Sequence, residues 1–227
     1  MQLGKLATSV LLLAGLAPAQ LLIGAESNGS IWLVEPRSGQ RHPAGNISAV
    51  TGVVGELAHD FTSGTVYVSS TSLHELYTCD LVTGTATRIG PYGGTIRYLH
   101  GLEWDSITGT LWGVPYSDGN LYSIDTNTGA ATLVGSTGLM GFVNLAYDLP
   151  RDILYAVNTT SPGLYTIDRT TGAATPIGPL NGPQSPASLT YDLVTDTLFL
   201  ADNQQSNLYV VDRTTGAPTL IGSLGSG

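Results

Sequence analysis

The chain has 227 residues and a formal charge of −9, with seventeen Asp and Glu against eight Lys and Arg. This balance argues against nucleic-acid binding, because phosphate contacts need a basic stripe and the arginines here are isolated. A single cysteine, Cys79, rules out an internal disulfide, and its place in the repeat is that of a small buried hydrophobic residue.

The first nineteen residues are predicted to be a secretory signal peptide. They carry one cation, Lys5, an apolar run over 10–16, and the small residues Ala17, Pro18 and Ala19, which are typical of a cleavage site. The apolar run is too short to span a bilayer. We therefore expect a mature chain over 20–227 that is secreted, periplasmic or attached to the cell surface, without insertion into a membrane.

One fifteen-residue phrase recurs along the rest of the chain. It reads LYTIDRTTGAATPIG over 164–178, and its other copies cover 31–45, 76–90, 121–135 and 208–222. The copies begin 45, 45, 43 and 44 residues apart. A fixed period of this size is typical of solenoids and propellers.

Each repeat is predicted to hold four short strands, here called A to D. The sequence L-x-x-D, as at Leu57 and Leu102, marks strand A, and an apolar-aromatic pair such as Val66-Tyr67 marks strand B. The recurring phrase supplies strands C and D. Between C and D, the sequence D-x-x-T-G predicts a tight hairpin, because Asp can bond back to the backbone and Gly supplies a positive φ.

Strand C is apolar on both faces, so its sheet must be covered on both sides. Radially packed sheets meet that demand, and the sequence predicts an all-β, five-bladed β-propeller of four-stranded antiparallel blades. The phrase, preceded by L-x-x-D and L-Y, resembles the repeats of exported bacterial β-propeller proteins and is loosely similar to YWTD and NHL propellers. The resemblance covers 21–222 and implies the fold and mostly binding roles, since a shared fold carries no activity with it.

The first repeat is incomplete. It begins at strand B, directly after the predicted cleavage site, so the first blade is expected to lack its own innermost strand. Only five residues follow Gly222, whereas the other copies need ten to twelve to reach the next L-x-x-D. Either the ring closes imperfectly, or the chain is a fragment, or a second copy completes the blade and forms a homo-oligomer.

The variable B–C and D–A connections are expected to share one face of the propeller, where binding residues usually lie. Aromatic residues with polar neighbours suit a sugar, a peptide or another small organic ligand, and the alternative is that they plug the mouth of the ring. The predicted ligand-binding residues are Tyr92, Arg97, Tyr98, His100, Tyr116, Asp118 and Phe142. The sequence thus favours an exported, non-catalytic binding or scaffold module whose partner is a small molecule, a glycan or a protein.

Catalytic and metal-binding motifs are missing from the sequence, so no cofactor, metal or catalytic residue is predicted. There is no H-x-x-H, H-E-x-x-H or G-x-S-x-G. The turn carboxylates are expected to cap their own turns, and a ring of calcium sites is the alternative. The alternative function is a carbohydrate-active enzyme, a glycosidase or lyase, that uses Glu56, Glu103 and Asp118 at the channel mouth.

Overall fold

The computed structural model describes residues 9–12, 21–48 and 51–225. These residues form twenty strands in five antiparallel four-stranded sheets, with no α-helix among them. The innermost strands contact one another in a closed ring, from the first blade through the fifth and back. The predicted all-β, five-bladed propeller is confirmed. Nowhere in the described ranges does a helix occur that could cross a membrane.

Within each blade the strands follow chain order from the innermost to the outermost. Blade 1 contains β1 (Ser9–Leu12), β2 (Leu22–Ala25), β3 (Ser30–Val34) and β4 (Arg41–Asn46). Blade 2 contains β5 (Val54–Asp60), β6 (Thr65–Ser70), β7 (Glu75–Cys79) and β8 (Ala86–Pro91). Blade 3 contains β9 (Leu99–Asp105), β10 (Thr110–Pro115), β11 (Asn120–Ile124) and β12 (Ala131–Ser136). Blade 4 contains β13 (Phe142–Asp148), β14 (Ile153–Asn158), β15 (Gly163–Ile167) and β16 (Ala174–Pro179). Blade 5 contains β17 (Pro186–Asp192), β18 (Thr197–Asp202), β19 (Asn207–Val211) and β20 (Pro218–Ser223).

The hydrophobic core lies between the blades. On β15 of blade 4, Leu164 packs in a cluster with Leu189 of blade 5, while Tyr165 packs in a cluster with Trp112 of blade 3. Both side chains are buried, at 0% and 8% exposed. Each sheet is therefore covered on both faces, as the apolar pattern of strand C predicts.

The hairpins between strands C and D follow the predicted turn chemistry. In blade 3, Oδ1 of Asp125 accepts hydrogen bonds from the backbone N–H groups of Asn127, at 2.8 Å, and Thr128, at 2.9 Å. Gly129 closes the turn with a φ of +80°. These bonds support the local role of the turn carboxylates, and no group of three or more His, Cys, Asp or Glu in the described part of the chain could hold a metal ion.

The turn glycines also join neighbouring blades. A Cβ added at Gly129 would lie 2.3 Å from the carbonyl oxygen of Gly90, at the end of the preceding blade. The same close approach recurs around the ring: Gly172 meets Gly135, Gly216 meets Gly178, Gly39 meets Ser223, and Gly84 meets Asn46. The contact of Gly39 with Ser223 joins blade 5 to blade 1, so the outer part of the ring closes in the same way as its other interfaces.

Blade 1 receives only three strands from the chain after residue 20, as predicted. In the full chain the innermost position is nevertheless occupied, because β1 pairs antiparallel with β2, with Ser9 opposite Ala25 and Leu12 opposite Leu22. The part of blade 1 after the predicted cleavage site therefore lacks its own innermost strand, and β1 takes that place in the full chain. β1 belongs to the predicted signal peptide, and the rest of that segment, 1–8 and 13–19, lies outside the described residues.

Leu224 and Gly225 contact blade 1 outside its innermost position. Leu224 is buried in a cluster with Leu22 and Leu208. The carbonyl oxygen of Gly225 accepts a hydrogen bond from Nη2 of Arg41 at 3.0 Å. These two residues therefore tie blade 5 to blade 1.

Candidate functional site

The end of the channel that carries the B–C and D–A connections opens into a funnel of about 350 Å³. All five blades contribute to its wall. The lining residues are Ser27, Val53, Val54, Gly55, Thr71, His100, Tyr116, Val143, Thr159, Ser185, Pro186, Ala187 and Asn203. None of these described lining residues is an Asp, Glu, Lys or Arg, so the wall is uncharged and combines apolar side chains with small polar ones.

Two sets of equivalent positions build this funnel. The first set directly follows strand B in blades 2 to 5, and each member donates its backbone N–H to the connection that precedes strand A. These bonds run from Thr71 to Val53, from Tyr116 to Tyr98, from Thr159 to Gly141, and from Asn203 to Ser185, at 2.9 to 3.0 Å. The second set lies two residues before the leucine of L-x-x-D and comprises Gly55, His100, Val143 and Ala187. The repeat thus places the same backbone frame in blades 2 to 5 and varies only the side chain.

Blade 3 differs from the other blades at both positions. It contributes the imidazole of His100 and the phenol of Tyr116, where the other described blades place small aliphatic, glycine, threonine or asparagine residues. The two rings meet edge to face with 5.9 Å between their centroids. Burial lowers the pKa of His100 below its ordinary value of 6.5, so the imidazole is neutral at pH 7. The funnel therefore has one aromatic side.

Four of the seven predicted binding residues lie in the funnel lining or on the exposed connection beside it. His100 and Tyr116 line the funnel. Tyr98 is 53% exposed and contacts His74 edge-on at 5.8 Å. Arg97 is exposed, and its Nη1 donates to the carbonyl oxygen of Ile96 at 2.8 Å. Arg97 and Tyr98 belong to the connection that enters β9, outside the lining itself.

The other three predicted residues serve the fold instead. Tyr92, 2% exposed, packs between blades 2 and 3, and Phe142, 1% exposed, packs edge-on against Tyr165. Asp118 shapes the B–C turn, where its carboxylate accepts hydrogen bonds from the Tyr122 hydroxyl at 2.7 Å and the Asn120 N–H at 3.1 Å. Burial removes both aromatic side chains from any surface that a ligand could contact.

Several small polar residues of the funnel were not predicted from the sequence, because the prediction rested on aromatic side chains and their polar neighbours. The spacing of the repeat nevertheless marks some of these positions. The residues after strand B recur at 71, 116, 159 and 203, with spacings of 45, 43 and 44 that match the repeat. Such a series identifies positions at equal height around the axis, whatever their side chains.

The opposite end of the channel holds a second cavity of about 50 Å³, lined in part by Glu56 and Glu103. Glu103 accepts a hydrogen bond from the N–H of Trp104 at 2.9 Å and another from the backbone N–H of Tyr147 in the next blade. Burial raises the pKa of Glu103 to about 8. Asp118 does not line this cavity, so two of the three carboxylates of the enzyme alternative lie together. The space suits a few water molecules.

Neither protein-family models nor curated proteins match the chain. Solved structures do match it. A protein of unknown function from Bacteroides thetaiotaomicron has a TM-score of 0.63 and 17% identity, over 88% of this chain and 54% of that one. A nidogen/laminin complex has a TM-score of 0.60 and 13% identity, over 85% and 71%. Virginiamycin B lyase from Staphylococcus aureus has a TM-score of 0.59 and 11% identity, over 96% and 69%. At these identities the likeness shows the propeller fold alone.

Proposed function

We propose that this protein is an exported, non-catalytic binding or scaffold module that takes a neutral polar ligand in the funnel. The observation that carries the proposal is the wall itself, which combines residues of all five blades, one aromatic side and no charged group. Its volume of about 350 Å³ is in the range of small-molecule sites. Export rests on the predicted signal peptide.

The chemistry of the wall indicates the class of ligand. Tyr116 and His100 offer ring faces and edges that can pack on a sugar ring or a flat organic group. In blades 4 and 5, the hydroxyls of Thr159 and Ser185 and the amide of Asn203 supply donors and acceptors. A charged ligand would lose hydration here without gaining an ionic partner, which is costly. A glycan or another neutral hydroxyl-bearing molecule fits best.

Binding to a glycan array and to a library of neutral polar compounds tests the proposal. For a ligand found in this way, Tyr116→Ala and His100→Ala should each weaken binding at least tenfold, measured by calorimetry. Tyr98→Ala is the matched control, because it removes an exposed aromatic ring of the same blade from outside the funnel lining. Equal affinity in all three variants would contradict the proposal.

A second candidate function is the carbohydrate-active enzyme. It is favoured by Glu103, whose raised pKa of about 8 keeps the carboxyl protonated at neutral pH, as a general acid requires, with Glu56 in the same cavity. One structural neighbour is a lyase. The cavity of about 50 Å³ is too small for a sugar ring, and for that reason we prefer binding. Polysaccharide turnover that Glu103→Gln abolishes would reverse this preference.

A further inference from the structure

The innermost position of blade 1 is filled by a segment that the sequence predicts to be removed. β1 (Ser9–Leu12) pairs along its whole length with β2 (Leu22–Ala25). It also lies against β5 of blade 2 and β17 of blade 5, so it completes the inner ring. Processing after Ala19 would withdraw this strand and leave β2 as an open edge between two blades.

The walls of this position are apolar on both sides. Ile23 and Ala25 of β2 share a cluster with Leu57 of blade 2, and Leu22 shares a cluster with Phe199 of blade 5. With β1 in place these three β2 side chains are 0% to 3% exposed. Without β1, the edge would present unpaired N–H and C=O groups in an apolar setting, which costs free energy for each group left without a partner.

The described end of the chain cannot replace β1. Leu224 follows β20, the outermost strand of blade 5, and the carbonyl oxygen of Gly225 is bonded to Arg41 of β4, the outermost strand of blade 1. Both anchor the terminus at the seam between the blades. Residues 224 and 225 therefore lie outside the innermost position of blade 1.

We propose that this gap is a strand-acceptor site that binds an extended, uncharged apolar peptide antiparallel to β2. Its occupant is this chain's own segment 9–12, which pairs in cis before processing and binds in trans afterwards. Main-chain hydrogen bonds supply affinity in this mode of recognition, and the apolar walls on the two sides of β2 suit an apolar peptide. The proposal does not depend on the funnel or on its ligand.

A cysteine cross-link in the full chain, produced without export, tests the pairing in cis. Leu11 lies opposite Ile23, so the pair Leu11→Cys and Ile23→Cys should form a disulfide on oxidation, detected by mass spectrometry of joined fragments. The matched control is Leu11→Cys with Leu33→Cys. Leu33 lies opposite Ile23 on β3, and β2 separates β3 from β1. Leu11 and Leu33 are therefore two strand spacings of about 4.8 Å apart, which is beyond the reach of a disulfide. Equal cross-linking of both pairs, or none, would overturn the proposal.

Binding in trans is tested with the chain that starts at Gln20 and a synthetic peptide of residues 8–13. We expect saturable binding and a rise of several degrees in the thermal midpoint. A Val10→Pro peptide should neither bind nor raise the thermal midpoint, because proline cannot donate a backbone hydrogen bond to β2. Equal effects of the two peptides, or no binding to the folded chain, would refute the site. If the shortened chain folds only when the native peptide is added, that supports the site. If the shortened chain folds with neither peptide, the cysteine cross-link in the full chain decides whether the site exists.

Discussion

The guanidinium of Arg213, in blade 5, donates to Oδ2 of Asp148, in blade 4, across 2.7 Å. The side chain of Asp148 is fully buried, and that of Arg213 is 19% exposed. The same guanidinium donates to Asp196 of its own blade. Arg169 of blade 4 makes the corresponding bridge to Asp105 of blade 3. These arginines, each in a C–D turn, thus join neighbouring blades.

Removal of the bridge between Arg213 and Asp148 should destabilise the ring. Arg213→Met keeps much of the aliphatic stem and leaves the buried carboxylate of Asp148 with only Arg151 as a cationic partner. We expect a loss of about 1–3 kcal/mol in the free energy of unfolding, measured with urea, because a buried charge loses compensation. The control is Arg88→Met, whose exposed pair with Glu75 lies within blade 2 and should cost at most about 1 kcal/mol. Equal losses of unfolding free energy in the two variants would contradict a stabilising role for the bridge between blades.

Two turn glycines allow the cost of backbone strain to be measured apart from the cost of disturbing a contact between blades. Gly109 and Gly129 both have positive φ, of +64° and +80°, but only Gly129 packs against a neighbouring blade. Gly109→Ala should cost about 1 kcal/mol, from strain alone. Gly129→Ala should cost about 3 kcal/mol or more, because its Cβ would collide with the Gly90 carbonyl. Chemical denaturation of the two variants measures both values, and similar losses would contradict the role of the contact.

Glu103 should make the folded state less stable as the pH rises. Its pKa is about 8 when folded and close to the ordinary 4.5 when unfolded, so between these values the folded state binds the extra proton. Its contribution to stability is complete below about pH 4.5 and lost as the pH rises to about 8. Glu103→Gln keeps an oxygen that can accept from the Trp104 N–H and carries no titrating group. The thermal midpoint of the wild type should therefore fall relative to the variant over this range, and parallel curves would refute the shift.

In a chain that starts at Gln20, blade 1 should open before the other blades, and its amide hydrogens should exchange first. Without β1, the strand β2 has one open edge, whereas its equivalent in blade 3, β10, is paired on both sides. We expect fastest exchange over 21–45, read by mass spectrometry of peptic fragments. Uniform protection around the ring would mean that the seam is not the weakest interface.

The candidate site was only partly predictable. His100 and Tyr116 were predicted because the sequence places both in variable connections, although His100 lies within β9. Tyr92 and Phe142 satisfy the same criterion but point into the interfaces between blades, where their ring surface is buried. The direction of a loop side chain depends on the packing of the next blade, and a repeat pattern within one blade contains no information on that.

The sequence by itself determined the number of blades, the order of the strands and the chemistry of the turns. These features follow from local rules, since alternation within a strand and an Asp and a Gly within a turn act over a few residues. Only the tertiary structure decided which residues line the funnel, how β1 completes blade 1, and how the blades are joined. Arg213 and Asp148 are 65 residues apart, and Gly129 and Gly90 are 39 apart. Such pairs meet only because the ring closes, so packing between blades sets their geometry.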